Sequence, residues 1–121
     1  MMPFDPVAAA RRFHDAINAI DFETIEDFFA EDAVYGSVKV GALSGRDDIM
    51  AAFRRYFATY PDQVAVDELT EQVSPVAARA VWRLKATNAE TGEPLVRFGE
   101  ETITFNAEGK IISVDVTDYK V

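Results

Sequence analysis

Glu101, His14 and Asp118 are the titratable side chains whose spacing turns them toward apolar neighbours. From Leu95 to Phe105 a strand period sets Glu101, Ile103 and Phe105 on one face and Glu100, Thr102 and Thr104 on the other. An inward carboxyl is costly when ionised, so Glu101 is expected to hold a proton, or donate one, near neutral pH. The competing reading puts Glu101 at a pocket rim or against Arg97, two residues earlier on the same face. His14, the only histidine, stands at the border of a buried helix face, where an imidazole serves as a general base or bonds to structure. Asp118 shares a face with Val114 and Val116 and reads as a working carboxylate, a pocket-lip group or a C-terminal cap. Tyr35 offers a phenol donor, and Trp82 a pocket or core wall. Asp47-Asp48 and Glu31-Asp32 fit first-turn charges and a solvated strand entry. No His/Asp/Glu spacing matches a ligand set, so no metal is expected, and the glycines form no phosphate cradle.

The elements that must position these groups are legible in the periodicity. Asp5-Pro6 starts a helix over 5–20 whose apolar stripe is Val7, Ala10, Phe13, Ile17 and Ile20. Asp21 caps a short second helix with Phe22, Ile25, Phe28 and Phe29. Ala33-Val34-Tyr35 opens an extended segment with ragged backbone at Gly36 and Gly41. Ser44-Gly45-Arg46-Asp47 has the spacing of a capping box for a third helix that Pro61 closes. Beyond it the period falls to two, predicting strands over 63–73, 76–88, 94–106 and 110–120. In the first of these Val64 and Val66 disagree in parity with Leu69 and Val73, which a bulge near Asp67-Glu68 reconciles. Ala80, Trp82, Leu84 and Ala86 form the apolar face of the second. Ile112, Val114 and Val116 form that of the last. Such a sheet is covered by helices on one side.

The 121 residues suit one domain over 1–121, and a 49% hydrophobic content excludes a disordered chain. A net charge of -9 argues against nucleic acid as a partner. The absence of cysteine removes disulfides and thiolate chemistry and suits a cytoplasmic setting. No apolar run is long enough to span a membrane, and Met1-Met2-Pro3-Phe4-Asp5-Pro6 lacks the pattern of a signal peptide.

The order helix, helix, strand, helix and four long strands resembles the nuclear transport factor two-like superfamily, with its ketosteroid isomerases and SnoaL-like cyclases. The likeness runs from about residue 5 to 119. It is carried by Arg12-Phe13 through Asp21, by Phe28-Phe29-Ala30-Glu31-Asp32-Ala33, by Ser44-Gly45-Arg46 and by Phe105 through Ser113. The resemblance implies an α+β, cone-shaped, cystatin-like fold: three N-terminal helices packed on a curved, mostly antiparallel sheet. It also implies a pocket lined by Phe13, Ile17, Tyr35, Ser37, Phe53, Trp82, Ile103, Val114 and Val116. Of the ketosteroid isomerase set only the carboxylic acid is matched, by Glu101. Ser37 stands at the base position, Phe13 at the oxyanion tyrosine and Phe53 at the supporting tyrosine. In epoxide-opening relatives a carboxylate near Asp118 activates water, but Arg97-Phe98-Gly99 lacks the aspartate of their Arg-x-Asp triad. The expectation is therefore a pocket protein for a small apolar molecule, without cofactor. Proton transfer would use Glu101, His14 and Asp118, and two copies would pair through a polar sheet face. The alternative is a non-catalytic module for ligand binding or protein association.

Overall fold

The computed structural model describes residues 4–37 and 41–119. Met1-Met2-Pro3 and the expected strand end at residue 120 lie outside the described residues. Helix α1 (Pro6–Asn18) begins where Asp5 accepts hydrogen bonds from the amides of Val7 and Ala8. It stops two residues earlier than its periodicity suggests. Ile20 takes a left-handed φ of 51°, and the amides of Ile20 and Asp21 close back onto the carbonyls of Ile17 and Ala16. Asp21 then caps α2 (Phe22–Phe28) through the Thr24 amide. Strand β1 (Phe29–Ser37) is followed by a short strand absent from the sequence reading, β2 (Gly41–Ser44). Helix α3 (Arg46–Thr59) has Gly45 as its N-cap and no side-chain cap, so the expected capping box does not form. Ser44 is instead held in β2 opposite Val34.

Strands β3 (Val64–Ser74), β4 (Ala77–Thr87), β5 (Pro94–Phe105) and β6 (Ile111–Asp118) complete a six-stranded sheet in the order β2-β1-β6-β5-β4-β3. Only β1 and β6 run parallel. The α+β class with three helices and a mostly antiparallel sheet is therefore as expected. Among the described residues no helix is long and apolar enough to cross a membrane.

Two bulges decide which side chains face the helices. On β3, Asp67 pairs with Trp82 and Leu69 with Val81, leaving Glu68 as the extra residue. The insertion puts Val64, Val66, Leu69 and Val73 together on the outer face, with Val64 and Val66 54% and 55% exposed. Ala65 and Asp67 turn inward. On β6, Phe105 pairs with Ile111 and Thr104 with Ser113, so Ile112 is the extra residue and faces out. Ile111, not Ile112, fills the core beside Val114.

The interior divides into two apolar clusters. Phe13, Phe29, Phe53, Phe57, Ile103 and Phe105 belong to the larger, which α1, α2 and α3 cover. Trp82, Leu84, Ala80 and Ala86 form the smaller, on β4. Val116 packs against both.

Candidate functional site

A cavity of about 60 Å3 lies where the two clusters fail to close on each other. Phe53 and Phe57 wall it from one side and Trp82 and Leu84 from the other, with Ile17, Tyr35 and Val116 between. Its polar lining comes from His14, Asp67, Glu101, Arg97, Tyr56 and Gln63.

His14 reaches the cavity because α1 is fastened to β3 at two matched points. Asn18 donates from Nδ2 to the Ala65 carbonyl at 2.9 Å and accepts the Ala65 amide at 3.0 Å. Asn18 and His14 are one helical turn apart, a rise of about 6 Å. Ala65 and Asp67 are two strand positions apart, about 6.6 Å. The Asn18 clamp therefore sets His14 directly against Asp67. Its Nδ1–H lies 2.7 and 2.9 Å from the two Asp67 oxygens. Nε2–H donates to Glu101 Oε1, across from β5. Asp67, His14 and Glu101 thus form one row of charge. Burial alone would suppress a cationic imidazole, but Glu101 and Asp67 outweigh it and raise the His14 pKa from 6.5 to about 10. At neutral pH His14 is an imidazolium between two carboxylates.

Glu101 is 6% exposed and, as strand parity indicated, points inward with Ile103 and Phe105. Its partner is His14, not Arg97. With Oε1 engaged, Oε2 has no hydrogen-bond partner among the described residues and is the oxygen available to a bound molecule.

Arg97, on the same face of β5, turns instead to β6. Its Nε and one terminal nitrogen bond the two oxygens of Asp118 at 2.9 and 2.7 Å, a bidentate fork. The other terminal nitrogen donates to the Tyr56 hydroxyl at 3.3 Å. The guanidinium carbon sits 5.3 Å from the Trp82 ring centre, within cation–π range. Asp118 is thus held away from Glu101 and His14 and does not line the cavity. Burial and the Glu101 charge push the Tyr35 hydroxyl well above the usual phenol range, so it stays a neutral donor.

Of the expected lining, Ile17, Tyr35, Phe53, Trp82 and Val116 face the cavity. Phe13, Ile103 and Val114 are filled core without contact to it, because the aromatic cluster of α1, α2 and β1 closes over them. Ser37 lies near the far end of β1, outside the lining. Asp67, Gln63 and Tyr56 were not anticipated as site residues. Asp67 had a readable signal: counting back from the proposed bulge, it shares parity with Ala65, opposite Val64 and Val66. Among the described residues no cluster of His, Asp and Glu could hold a metal ion.

The family model of the SnoaL-like domain matches residues 10–114. The chain belongs to that family. Among curated protein sequences none matches it. The SnoaL-like fold is shared with RV0760c from Mycobacterium tuberculosis, solved in complex with estradiol-17beta-hemisuccinate. That likeness has a TM-score of 0.81 at 20% identity, over 96% of this chain and 93% of that one. It is shared with a Delta 5-3-ketosteroid isomerase from Mycobacterium sp., at a TM-score of 0.80 and 18% identity, over 96% and 92% of the chains. The epoxide hydrolase/cyclase-like enzyme SalBIII, of pyran ring formation in the polyether salinomycin, gives 0.81 at 16% identity over 93% and 88%. These likenesses establish the fold. Beside Arg97 and Phe98, Gly99 has no room for a side chain. A Cβ on Gly99 would stand 2.6 Å from the Thr117 carbonyl and 3.0 Å from the Trp82 ring.

Proposed function

We propose that this SnoaL-like protein binds a small, uncharged, mainly apolar molecule in the cavity and moves a proton on it through Glu101. The observation that carries the reading is the Asp67–His14–Glu101 row, whose one uncommitted carboxylate oxygen borders an apolar cavity. Glu101 Oε2 takes a proton from a carbon or hydroxyl of the substrate and returns it at a second atom. His14 holds the carboxylate in place and Asp67 fixes the imidazole. Tyr35 supplies an O–H to the substrate oxygen on which negative charge develops. Isomerisation is such a step, and ring closure by a substrate hydroxyl begins with the same proton removal; in hydrolysis the carboxylate would take the proton from water instead. The fixed charges of the site, His14 and Arg97 against Asp67, Glu101 and Asp118, leave an excess of negative charge and disfavour an anionic ligand.

The solved neighbours supply context, since one holds a steroid ester and another is a ketosteroid isomerase. By the resemblance, Phe13, Ser37 and Phe53 stand where the isomerase keeps its other groups and only the carboxylic acid is matched, by Glu101, so the proposed chemistry gives that one carboxylate a different part. Size also separates them: about 60 Å3 is less than the roughly 150 Å3 that admits benzene. A small ring seated partly in the mouth fits better than a steroid. Non-catalytic binding is the second reading. It is favoured by the mutual pairing of the ionised groups in the site, which leaves no free charge in waiting.

The test is hydrogen–deuterium exchange at the carbon next to the carbonyl of cyclohexanone and γ-butyrolactone in D2O, followed by NMR. Wild type should exceed Glu101→Gln by a hundredfold or more. Equal rates would rule out the proton-transfer reading, and binding with equal rates would support the binder.

The outer sheet face is proposed as a contact between two copies. It was expected to be polar, but it carries Val64, Val66, Leu69, Val73 and Val96 exposed among its charges. Arg79, paired with Glu71 and Glu100, and Arg83, near Glu68, give that face both signs, as a two-fold contact requires. Sedimentation should show a dimer that Leu69→Asp dissociates; a wild-type monomer would refute it.

A further inference from the structure

Among the described residues, Gln63 Oε1 is the sealed side-chain atom of this site that has no hydrogen-bond partner. The residue lies in the turn between α3 and β3, only 6% exposed. The turn itself is firmly held. Gln63 N–H donates to the Tyr60 carbonyl at 3.3 Å, and Asp62 accepts the Thr87 amide at 2.8 Å. The backbone therefore fixes a glutamine against the cavity while leaving its amide oxygen unpaired. A buried carbonyl in that state is destabilising, and a hydrophobic residue of the same shape would remove the cost. Retaining the amide at the fold's expense points to a ligand.

Its neighbours restrict what that ligand offers. Tyr56 accepts from Arg97 at its hydroxyl oxygen and has no acceptor for its own proton among the described residues. Gln63 and Tyr56 both line the cavity: Tyr56 offers its O–H there, and the Gln63 amide, whose Oε1 is closed off as the side chain stands, offers that acceptor after a turn about its last torsion. The apolar faces of Trp82 and Leu84 line the same space. This polar pair is separate from the Glu101 row. Gln63 precedes β3 and Asp67 is its fourth residue, and along β5 Arg97 and Glu101 are roughly 13 Å apart. The last torsion of a glutamine is soft, so the amide can turn to a ligand donor without backbone movement.

We infer that the ligand carries a hydroxyl group, which donates to Gln63 and accepts from Tyr56, on an apolar ring or chain packed against Trp82 and Leu84. This rests on the reading of the cavity as a small-molecule site and narrows it to alcohols. A ketone of equal size uses the Tyr56 donor alone.

The test titrates cyclohexanol and cyclohexanone against the full chain, followed at the indole N–H of Trp82, the only tryptophan. Cyclohexanol should bind about tenfold more tightly than cyclohexanone, the discrimination expected of one buried hydrogen bond. Gln63→Leu should abolish the preference, and Val66→Thr, on the outer sheet face, should keep it. If both probes bind wild type equally, or if Gln63→Leu keeps the preference, the hydroxyl assignment is overturned while the small-molecule reading stands. If neither binds, both fail. A second measurement needs no ligand: Gln63→Leu and Gln63→Met should melt at or above the wild-type temperature. A lower melting temperature in both would give Gln63 a structural role and overturn the inference.

Discussion

Replacing His14 by glutamine removes the one cation between Asp67 and Glu101 and leaves two carboxylates facing each other at the cavity wall. The His14 pKa is about 10 in the folded chain against 6.5 unperturbed. Because the folded value is the higher, the stabilisation is fully present below about pH 6.5 and is lost as pH rises through 10. At about 1.4 kcal/mol per pH unit, that interval sets an upper bound of roughly 5 kcal/mol. Removing one member of a buried charge pair commonly costs about 3–5 kcal/mol. We therefore expect His14→Gln to lose about 3 kcal/mol at pH 7. Urea unfolding of both proteins at half-unit intervals from pH 6.5 to 10.5 isolates the effect, since every other titrating group is common to the two. The gap in unfolding free energy should be widest near pH 7 and narrow steadily toward pH 10.5. A gap independent of pH, or a variant as stable as wild type at pH 7, would refute the reasoning.

Gly99→Ala should destabilise the fold by about 1–3 kcal/mol, read from its melting temperature. The new methyl meets the Thr117 carbonyl at 2.6 Å, and backbone cannot yield as a flexible side chain would. Asp118→Asn breaks the fork on Arg97, which is only 8% exposed, and should cost about 2–3 kcal/mol by urea unfolding. If Asp118 serves Arg97 alone, proton-exchange activity per folded molecule should fall far less than in Glu101→Gln; an equal fall would place Asp118 in the chemistry.

The parts of the fold that were legible in the sequence are those in which local chemistry and tertiary packing agree. Asp5 and Asp21 cap their helices, and the Glu68 bulge lies where the parity of Val64, Val66 and Leu69 required one. Gly45 replaced the expected Ser44 cap because Ser44 is taken up by pairing with β1, a non-local demand invisible in a four-residue motif. The misplacement of Ile112 has the same origin, since an extra residue after a hairpin inverts every parity before it. In the site, Glu101 was legible from alternation alone. Asp67 was not singled out, because the parity of the β3 valines located a bulge without saying which face of the strand turns inward. Those valines look outward, and the polar, small side of the strand faces the cavity. The pairing of Arg97 with Asp118, rather than with Glu101, depends on the register of β5 against β6. No spacing within β5 encodes it.

The account turns on a charged imidazole held between Asp67 and Glu101, and His14 is the only histidine, so a single NMR signal reports on it. Titration of its Cε1–H resonance should show the imidazolium form persisting through pH 8, with a midpoint near 10. The midpoint should fall toward the unperturbed value in Glu101→Gln. A wild-type midpoint near 6.5, unmoved by Glu101→Gln, would contradict the account.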